Sequence, residues 1–437
     1  MNSSNDTHNG YLPADGGCTV LALNTLLTPE GRVLLAAMCG ELLNTHRDPS
    51  ISFIESWRRQ FAPEVVNTAL VVAKSTLAAR GKHGKFPQQP NEDSIFWAVP
   101  EALEQATSIH VAAYKAAKLM ELLPGTQRVF DICGGIGGDA LALARFAPVE
   151  AWEISPVRAW MARQNTRLPG LHSVTVREED ILNAKIVPAA QCAFHLDPAR
   201  RSATRRSFNT PQMHPDPWQV MQAFAFCNGG MIKLSPAIDF SSLPSGHLEI
   251  ISEPGTVVQA LLWVGGPAQT LGVARRTATL VRSSEKAWSF TSLPAAPTEL
   301  TVPDGWMYEV DGALSRSGLA APFLLEMGLK PVTVDGGYAT GPKLSPHIAM
   351  RAFQVEAVMP FSPEKLSRWL NRQPVRSDLR PAIVEVKTRG GLGLNTDALQ
   401  RQFTRQAKQS CTVLIYPVHG KKMVVVAHRP VIRQLPD

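Results

Sequence analysis

RVFDICGGIGGDALALA, residues 128–144, decides the fold of this chain. The apolar run VFDI enters a cluster of glycines and leaves it as an apolar pattern of helical period, the junction at which a strand of a parallel sheet passes into its crossover helix. Glycines there let the backbone turn tightly and approach a ligand, and the helix start offers N–H groups with no partner inside the helix. Gly135-x-Gly137-x-x-Ala140 also satisfies the dinucleotide fingerprint, and Glu153, 18 residues beyond Gly135 at the end of the next strand, suits ribose hydroxyls.

Outward from this junction the alternation repeats. VEAWEI (149–154), SVTVRE (173–178), CAFHLD (192–197) and GMIKLS (230–235) read as strands, with helices over 139–146, 156–167 and 217–226. HLEIIS (247–252) and TVVQALLWVG (256–265) are parted only by Glu253-Pro254-Gly255, so they form a hairpin and not another crossover. Before the junction, residues 29–46, 63–80 and 101–123 carry apolar side chains at three- and four-residue spacing and predict amphipathic helices; a breaker-rich loop, GKHGKFPQQPNEDS, precedes the short apolar segment IFWAV (95–99). After it, the proline-rich SLPAAPTELTVPDG (292–305) reads as a linker to a small α/β sandwich with strands at 353–359, 382–388, 411–417 and 421–428 and helices over 363–371 and 396–407. The expected domains are a helical N-terminal region (1–127), a Rossmann-like α/β domain (128–291), the linker (292–305) and a C-terminal domain (306–437).

The charges beside the glycines choose between ligands. Asp131 at the strand end and Asp139 at the helix start oppose a pyrophosphate, whereas S-adenosyl-L-methionine has no phosphate and presents an ammonium and a sulfonium. The stretch resembles motif I of class I methyltransferases, with Cys133 in place of the first glycine, a departure shared with trimethylguanosine synthase-like enzymes. A mostly parallel sheet ending in an antiparallel hairpin is also that family's strand arrangement. The resemblance implies S-adenosylmethionine as cofactor, held by Asp131, Cys133, Gly135, Gly137, Glu153 at the ribose and Asp180 (in REEDIL) at the adenine.

Asp197-Pro198-Ala199-Arg200 ends the fourth strand, where open α/β sheets place ligands, and resembles the Asp/Asn-Pro-Pro-aromatic signature of amino-methylating enzymes. Asp197 and Pro198 are the expected catalytic residues, because a carboxylate and a backbone carbonyl that accept hydrogen bonds from an exocyclic amine aim its lone pair at the methyl group. Arg200 stands where the aromatic residue is usual. Arg200, Arg201, Arg205 and Arg206 put four cations within seven residues beside this site, suited to phosphate beside a target nucleotide. Lys233 reads as an exposed strand end and His195 as packing in or beside the sheet. No histidine or cysteine spacing suits a metal.

Composition sets the outer bounds. With 44% hydrophobic and 19% charged residues the chain is globular, and no apolar run nears the ~18 residues of a bilayer span. The polar start, MNSSNDTHNG, and six scattered cysteines point to a cytoplasmic protein. The formal charge of +7 is local: residues 380–437 hold ten Lys/Arg against three Asp/Glu. Ordered matches from FIESWRRQFAPEVVNTALVVAKSTLAARGKHGKF through IFWAVPEALEQAT, DICGGIGGDALALA and LDPARR to YEVDGALSRSGL and EVKTRGG make the whole chain similar to bacterial class I methyltransferases with a C-terminal THUMP-like domain. That resemblance implies a methyltransferase acting on structured RNA, tRNA or rRNA, at a base nitrogen such as guanine N2. In this reading Lys387, Arg389, Lys421 and Lys422 meet the RNA, and neither membrane nor metal is a partner. The alternatives are an inactive methyltransferase fold that binds RNA and a small-molecule methyltransferase.

Overall fold

The computed structural model describes residues 15–80, 95–200, 213–297, 299–374 and 382–430. The chain divides into two compact units: Met1–His247, Gln259–Val273 and Val281–Ala287 form the first, and Leu248–Val258, Ala274–Leu280 and Trp288–Asp437 the second.

In the first unit, helices α1 (Val20–Thr25), α2 (Pro29–Thr45), α3 (Ile51–Arg58), α4 (Pro63–Arg80), α5 (Pro100–Gln105) and α6 (Ile109–Leu122) lead into a sheet. Its strands are β1 (Arg128–Ile132), β2 (Val149–Trp152), β3 (Val174–Arg177), β4 (Cys192–Leu196) and β5 (Gly229–Leu234), interleaved with α7 (Gly138–Leu143), α8 (Pro156–Asn165) and α9 (Pro217–Ala223). Strand β1 lies parallel to both β2 and β4. The strand order therefore reverses beside β1, which opens a crevice at the carboxyl ends of β1 and β4. Strand β6 (His247–Glu253) turns at Pro254-Gly255 into its sheet neighbour β7 (Thr256–Gly265), the expected hairpin, and β7 runs antiparallel to β5. Gly255, at φ +84°, supplies the left-handed conformation that this turn requires. Helix α10 (Gly266–Leu271) follows.

Two local expectations change. The pattern over 101–123 is not one helix: α5 stops at Gln105, and Ser108 restarts the chain as α6 by accepting a hydrogen bond from the Val111 N–H (3.3 Å). The sheet also does not stop at the hairpin, because β8 (Arg276–Val281) pairs in parallel with β6 and β9 (Ala287–Ser292) joins it. Both strands are masked in sequence by hydroxyl-bearing residues that satisfy one another in place, Thr277 with Thr291 and Thr279 with Ser289 (each 2.8 Å).

The N-terminal helices share one core with the sheet's crossover helix. Leu23, Leu34, Met38, Val66, Val72, Phe96 and Trp97 cluster with Ile136 of the glycine loop and with Val157, Trp160 and Met161 of α8. Trp97 stacks edge-on against Trp160 at 4.9 Å between ring centres, and the Asn165 side chain bonds the backbone of Trp97 and the Ile136 carbonyl. The region before residue 128 is thus part of what shapes the loop. GKHGKFPQQPNEDS lies outside the described residues.

Besides most of β6, β8 and β9, the second unit carries β10 (Trp306–Val310), α11 (Gly312–Ser317), α12 (Ala320–Glu326), β11 (Lys330–Pro331), β12 (Tyr338–Gly341), β13 (Met350–Pro360), α13 (Pro363–Arg372), β14 (Val384–Thr388), α14 (Thr396–Gln406), β15 (Cys411–Val418) and β16 (Lys421–His428), and the strands from β10 onward stand apart from the first three. They form one sheet, in the order β11-β12-β10-β13-β16-β15-β14. Leu366, Leu370 and Phe403 press α13 and α14 onto the sheet through Val384, Val413, Ile415 and Val424. The solvent sides of these helices expose Lys365, Arg368, Arg372, Arg401 and Arg405, at helical spacing, with Lys408 exposed just past the end of α14, against Glu364 and Asp397. No helix among the described residues is long and apolar enough to cross a membrane.

Candidate active site

The glycine loop begins where β1 ends. Cys133, at φ +61°, occupies a left-handed conformation that glycine adopts more readily, so the residue that breaks the motif keeps the motif's backbone. Gly134 N–H donates to the Trp152 carbonyl and Gly137 N–H to the Gly134 carbonyl (both 2.9 Å). A Cβ on Gly137 would sit 3.0 Å from Thr166 Cγ2, whereas one on Gly135 would meet nothing within 4 Å, so Gly135 faces open space.

Glu153 closes the loop from beyond β2. Its two oxygens accept hydrogen bonds from Gly135 N–H and Ser155 N–H (both 2.9 Å). Burial pushes its carboxyl above the usual range, against the pull of these N–H groups and of Arg158. Beside the loop, Cys133 is held well above the ordinary thiol range by burial first and then by the charges of Glu153, Asp197, Asp131 and Asp180. The thiol is thus kept protonated and poorly nucleophilic.

Asp131 and His195 are partners across the β1–β4 register. Fully buried, Asp131 has its Oδ1 2.7 Å from His195 Nδ1, and its Oδ2 meets no hydrogen-bond partner among the described residues. His195 is therefore not inert packing, since its second nitrogen lies 3.3 Å from Lys115 Nζ. Lys115, wholly buried on α6, pairs with Asp139 Oδ1 at 2.8 Å, and Asp139 Oδ2 accepts a hydrogen bond from Thr107 Oγ1 at 2.8 Å. Burial raises the Asp139 carboxyl, but the Lys115 ammonium and its hydrogen bond, together with the other basic side chains nearby, Lys233 among them, outweigh it and hold the group well below the usual range. Asp139 is thereby neutralised, and of the two carboxylates expected to face a ligand only Asp131 remains uncompensated.

Asp197 N–H donates to the Ile132 carbonyl at 3.1 Å, one residue past the end of β4. Its Oδ2 lies 2.7 Å from Lys233 Nζ, which also donates to the Gln105 carbonyl at 3.0 Å. Lys233 is thus no idle strand end. The pair is graded toward solvent, the lysine side chain 15% exposed and the aspartate 32%. Pro198 leads into a short antiparallel ladder of Ala199–Arg200 with Met213–His214. Arg201, Arg205 and Arg206 lie outside the described residues, and only the backbone of Arg200 is described. Asp180 spends its carboxylate on the turn after β3, accepting from Leu182 N–H (3.0 Å) and Asn183 Nδ2 (3.4 Å).

Two expected RNA contacts are committed internally. Lys387 Nζ is 3.0 Å from Glu309, and Arg389 donates to the Val310 carbonyl at 2.7 Å and lies over the Tyr338 ring, so both brace the second unit. Lys421 and Lys422 are exposed.

The site fits S-adenosylmethionine on three observations. The buried Asp131 Oδ2 has no hydrogen-bond partner among the described residues and suits a cation, the face over Gly135 is open, and the Glu153 carboxylate stands just past the end of β2. Residues 350–429 match the THUMP domain-like family. Over 364 residues the chain is 30% identical to an uncharacterized S-adenosylmethionine-dependent methyltransferase of Mycobacterium tuberculosis, a span covering 81% of this chain and 92% of that protein. It shares its fold with a crystal structure from Porphyromonas gingivalis assigned to a methyltransferase, at a TM-score of 0.65 and 20% identity over 91% of this chain and 98% of that one.

Proposed function

Because the chain belongs to the S-adenosylmethionine-dependent methyltransferases and carries a THUMP-like domain near its C-terminus, we propose that it methylates a base nitrogen, guanine N2 being the first to test, in structured cytoplasmic RNA such as tRNA or rRNA. The observation that carries the reading is Asp197, a carboxylate fixed on one side by Lys233 and about one-third open to the crevice on the other. S-adenosylmethionine, when bound, supplies an activated methyl group. Asp197 and the Pro198 carbonyl accept hydrogen bonds from an exocyclic amine and hold its lone pair on the line of transfer. Lys233 fixes the carboxylate and balances its charge, while Asp131, Cys133, Gly135, Gly137, Glu153 and Asp180 shape the cofactor cleft. Methylation of a ring carbon through Cys133 as nucleophile is disfavoured, because burial first and the acidic neighbours second suppress its thiolate.

RNA as the substrate rests on charge. Five exposed cations on α13 and α14 and Lys408 just past α14, against two carboxylates, together with Lys421 and Lys422 offer phosphates a basic surface on the second unit, and Arg200, Arg201, Arg205 and Arg206 stand next to Asp197 in the sequence. Comparing modified nucleosides by mass spectrometry in total RNA from cells with and without the gene tests the proposal. A methylated guanosine should fall at one position, and an unchanged profile at every nucleotide would sink it.

Two further results are expected. Glu153→Ala should weaken binding of S-adenosylhomocysteine by about 1.5–3 kcal/mol in calorimetry, the worth of a charged hydrogen bond; unaltered affinity would make Glu153 a loop brace alone. Replacing Lys421 and Lys422 with glutamine should flatten the dependence of log K for RNA on log salt by about one to two, since each phosphate contact contributes ~0.7–0.9. Lys387→Gln should leave that slope unaltered, because its ammonium is already paired with Glu309. Equal slopes for the double variant and the parent would remove the hairpin from the RNA surface.

A further inference from the structure

Thr107, Asp139, Lys115, His195 and Asp131 form one buried chain of polar groups that ends at an unpartnered oxygen. Proton counting fixes its direction. An ammonium only donates, so Lys115 Nζ, 2.8 Å from Asp139, 3.5 Å from Thr107 Oγ1 and 3.3 Å from His195, makes His195 Nε2 an acceptor. The imidazole proton then sits on Nδ1 and is donated to Asp131 Oδ1 at 2.7 Å. In this arrangement the His195 ring is held in one tautomer. The Lys115–Asp139 pair cancels, so the cluster keeps a single negative charge, on Asp131, with Oδ2 free of partners among the described residues and 3.1 Å from the position a Gly134 Cβ would take.

We propose that His195, locked by Lys115 into its Nδ1–H tautomer, is a positioning residue that sets the plane of the Asp131 carboxylate and reserves Oδ2 for the α-amino group of the cofactor's methionine moiety. The inference rests on the cofactor reading above and adds the group that orients the seat. An unpartnered buried oxygen is costly when empty, and an ammonium there recovers that cost. Discrimination should therefore fall on the amino group and not on the adenosine.

Affinities of the full-length protein for S-adenosylhomocysteine and for its analogue with hydrogen in place of the α-amino group separate the possibilities. The parent should prefer the amino compound by about tenfold or more, the scale of a charged hydrogen bond. His195→Phe should bring the ratio to within about threefold, and His195→Gln, which can donate and accept at once, should restore much of it. A merely structural histidine would weaken both ligands alike and leave the ratio unaltered, which overturns the proposal. No binding of either ligand would overturn the cofactor reading and this inference together. Should His195→Phe fail to fold, nitrogen NMR of the intact protein labelled at histidine decides the point: at neutral pH His195 should show a protonated Nδ1 and a bare Nε2, and the opposite tautomer or an imidazolium would end the argument.

Discussion

Asp197→Ala is expected to lower methyl transfer by about a hundredfold or more while leaving affinity for S-adenosylhomocysteine within about threefold of the parent, the scale seen when one preorganised polar group is lost from a reacting centre. The separation follows from geometry. The groups around the cofactor cleft are Glu153, Asp131 and the glycine loop, and none of them takes a hydrogen bond from Asp197, whose recorded partners are Lys233 and the Ile132 carbonyl. Single-turnover transfer to a verified RNA, alongside calorimetry, checks both halves. Equal turnover would reduce Asp197 to a partner for Lys233, and a large fall in cofactor affinity would move it into the cofactor's seat.

Lys115→Met should destabilise the protein by about 3–5 kcal/mol, the usual consequence of leaving one partner of a buried ion pair without the other. Neither side chain can turn to solvent, since Lys115 is fully buried and Asp139 only 10% exposed. The loss reaches beyond the pair, because His195 forfeits the donor at its Nε2. Adding Asp139→Asn removes the stranded charge and should recover much of the stability. Urea unfolding of both variants is the measurement, and a single variant within about 1 kcal/mol of the parent would mean that the ammonium is not carrying the site.

What the sequence disclosed follows the difference between pattern and partner. Periodicity placed β1–β7, their helices and the hairpin at Glu253-Pro254-Gly255, because apolar spacing and turn residues are local signals. It lost the break at Gln105–Ser108, where serine capping overrides a continuous helical pattern, and it lost β8 and β9, whose threonines and serines read as surface although Thr277 and Thr279 are buried. Asp131, Glu153 and Asp197 stand at or just past strand ends, as their places in the pattern lead one to expect. Lys115, His195 and Lys233 carry little local signal, since each gains its partners from residues far away in sequence. One signal was available: Lys115 lies four residues after Val111 and four before Leu119, both buried, so it sits on the helix's apolar stripe, where a charge must find a countercharge. Lys387 and Arg389 erred the other way, because charge counting cannot tell a cation facing solvent from one occupied by Glu309 or the Val310 carbonyl.

The interruption between α5 and α6 bears on how such a protein can be recombined. The helix end exposes the Gln105 carbonyl to Lys233, and two residues later Thr107 reaches Asp139, with Lys115 following on α6. A chimera that grafts the sheet from residue 128 onward behind foreign helices therefore inherits Asp139 and Lys233 without the groups that answer them. Exchange joints that preserve function should fall before residue 95, where the chain enters the IFWAV segment, and libraries of hybrids cut at 128 should be dominated by members that fail to fold or fail to transfer methyl groups. By this measure the unit that travels intact between proteins takes in at least the segment from residue 95, nearly forty residues ahead of the glycine loop.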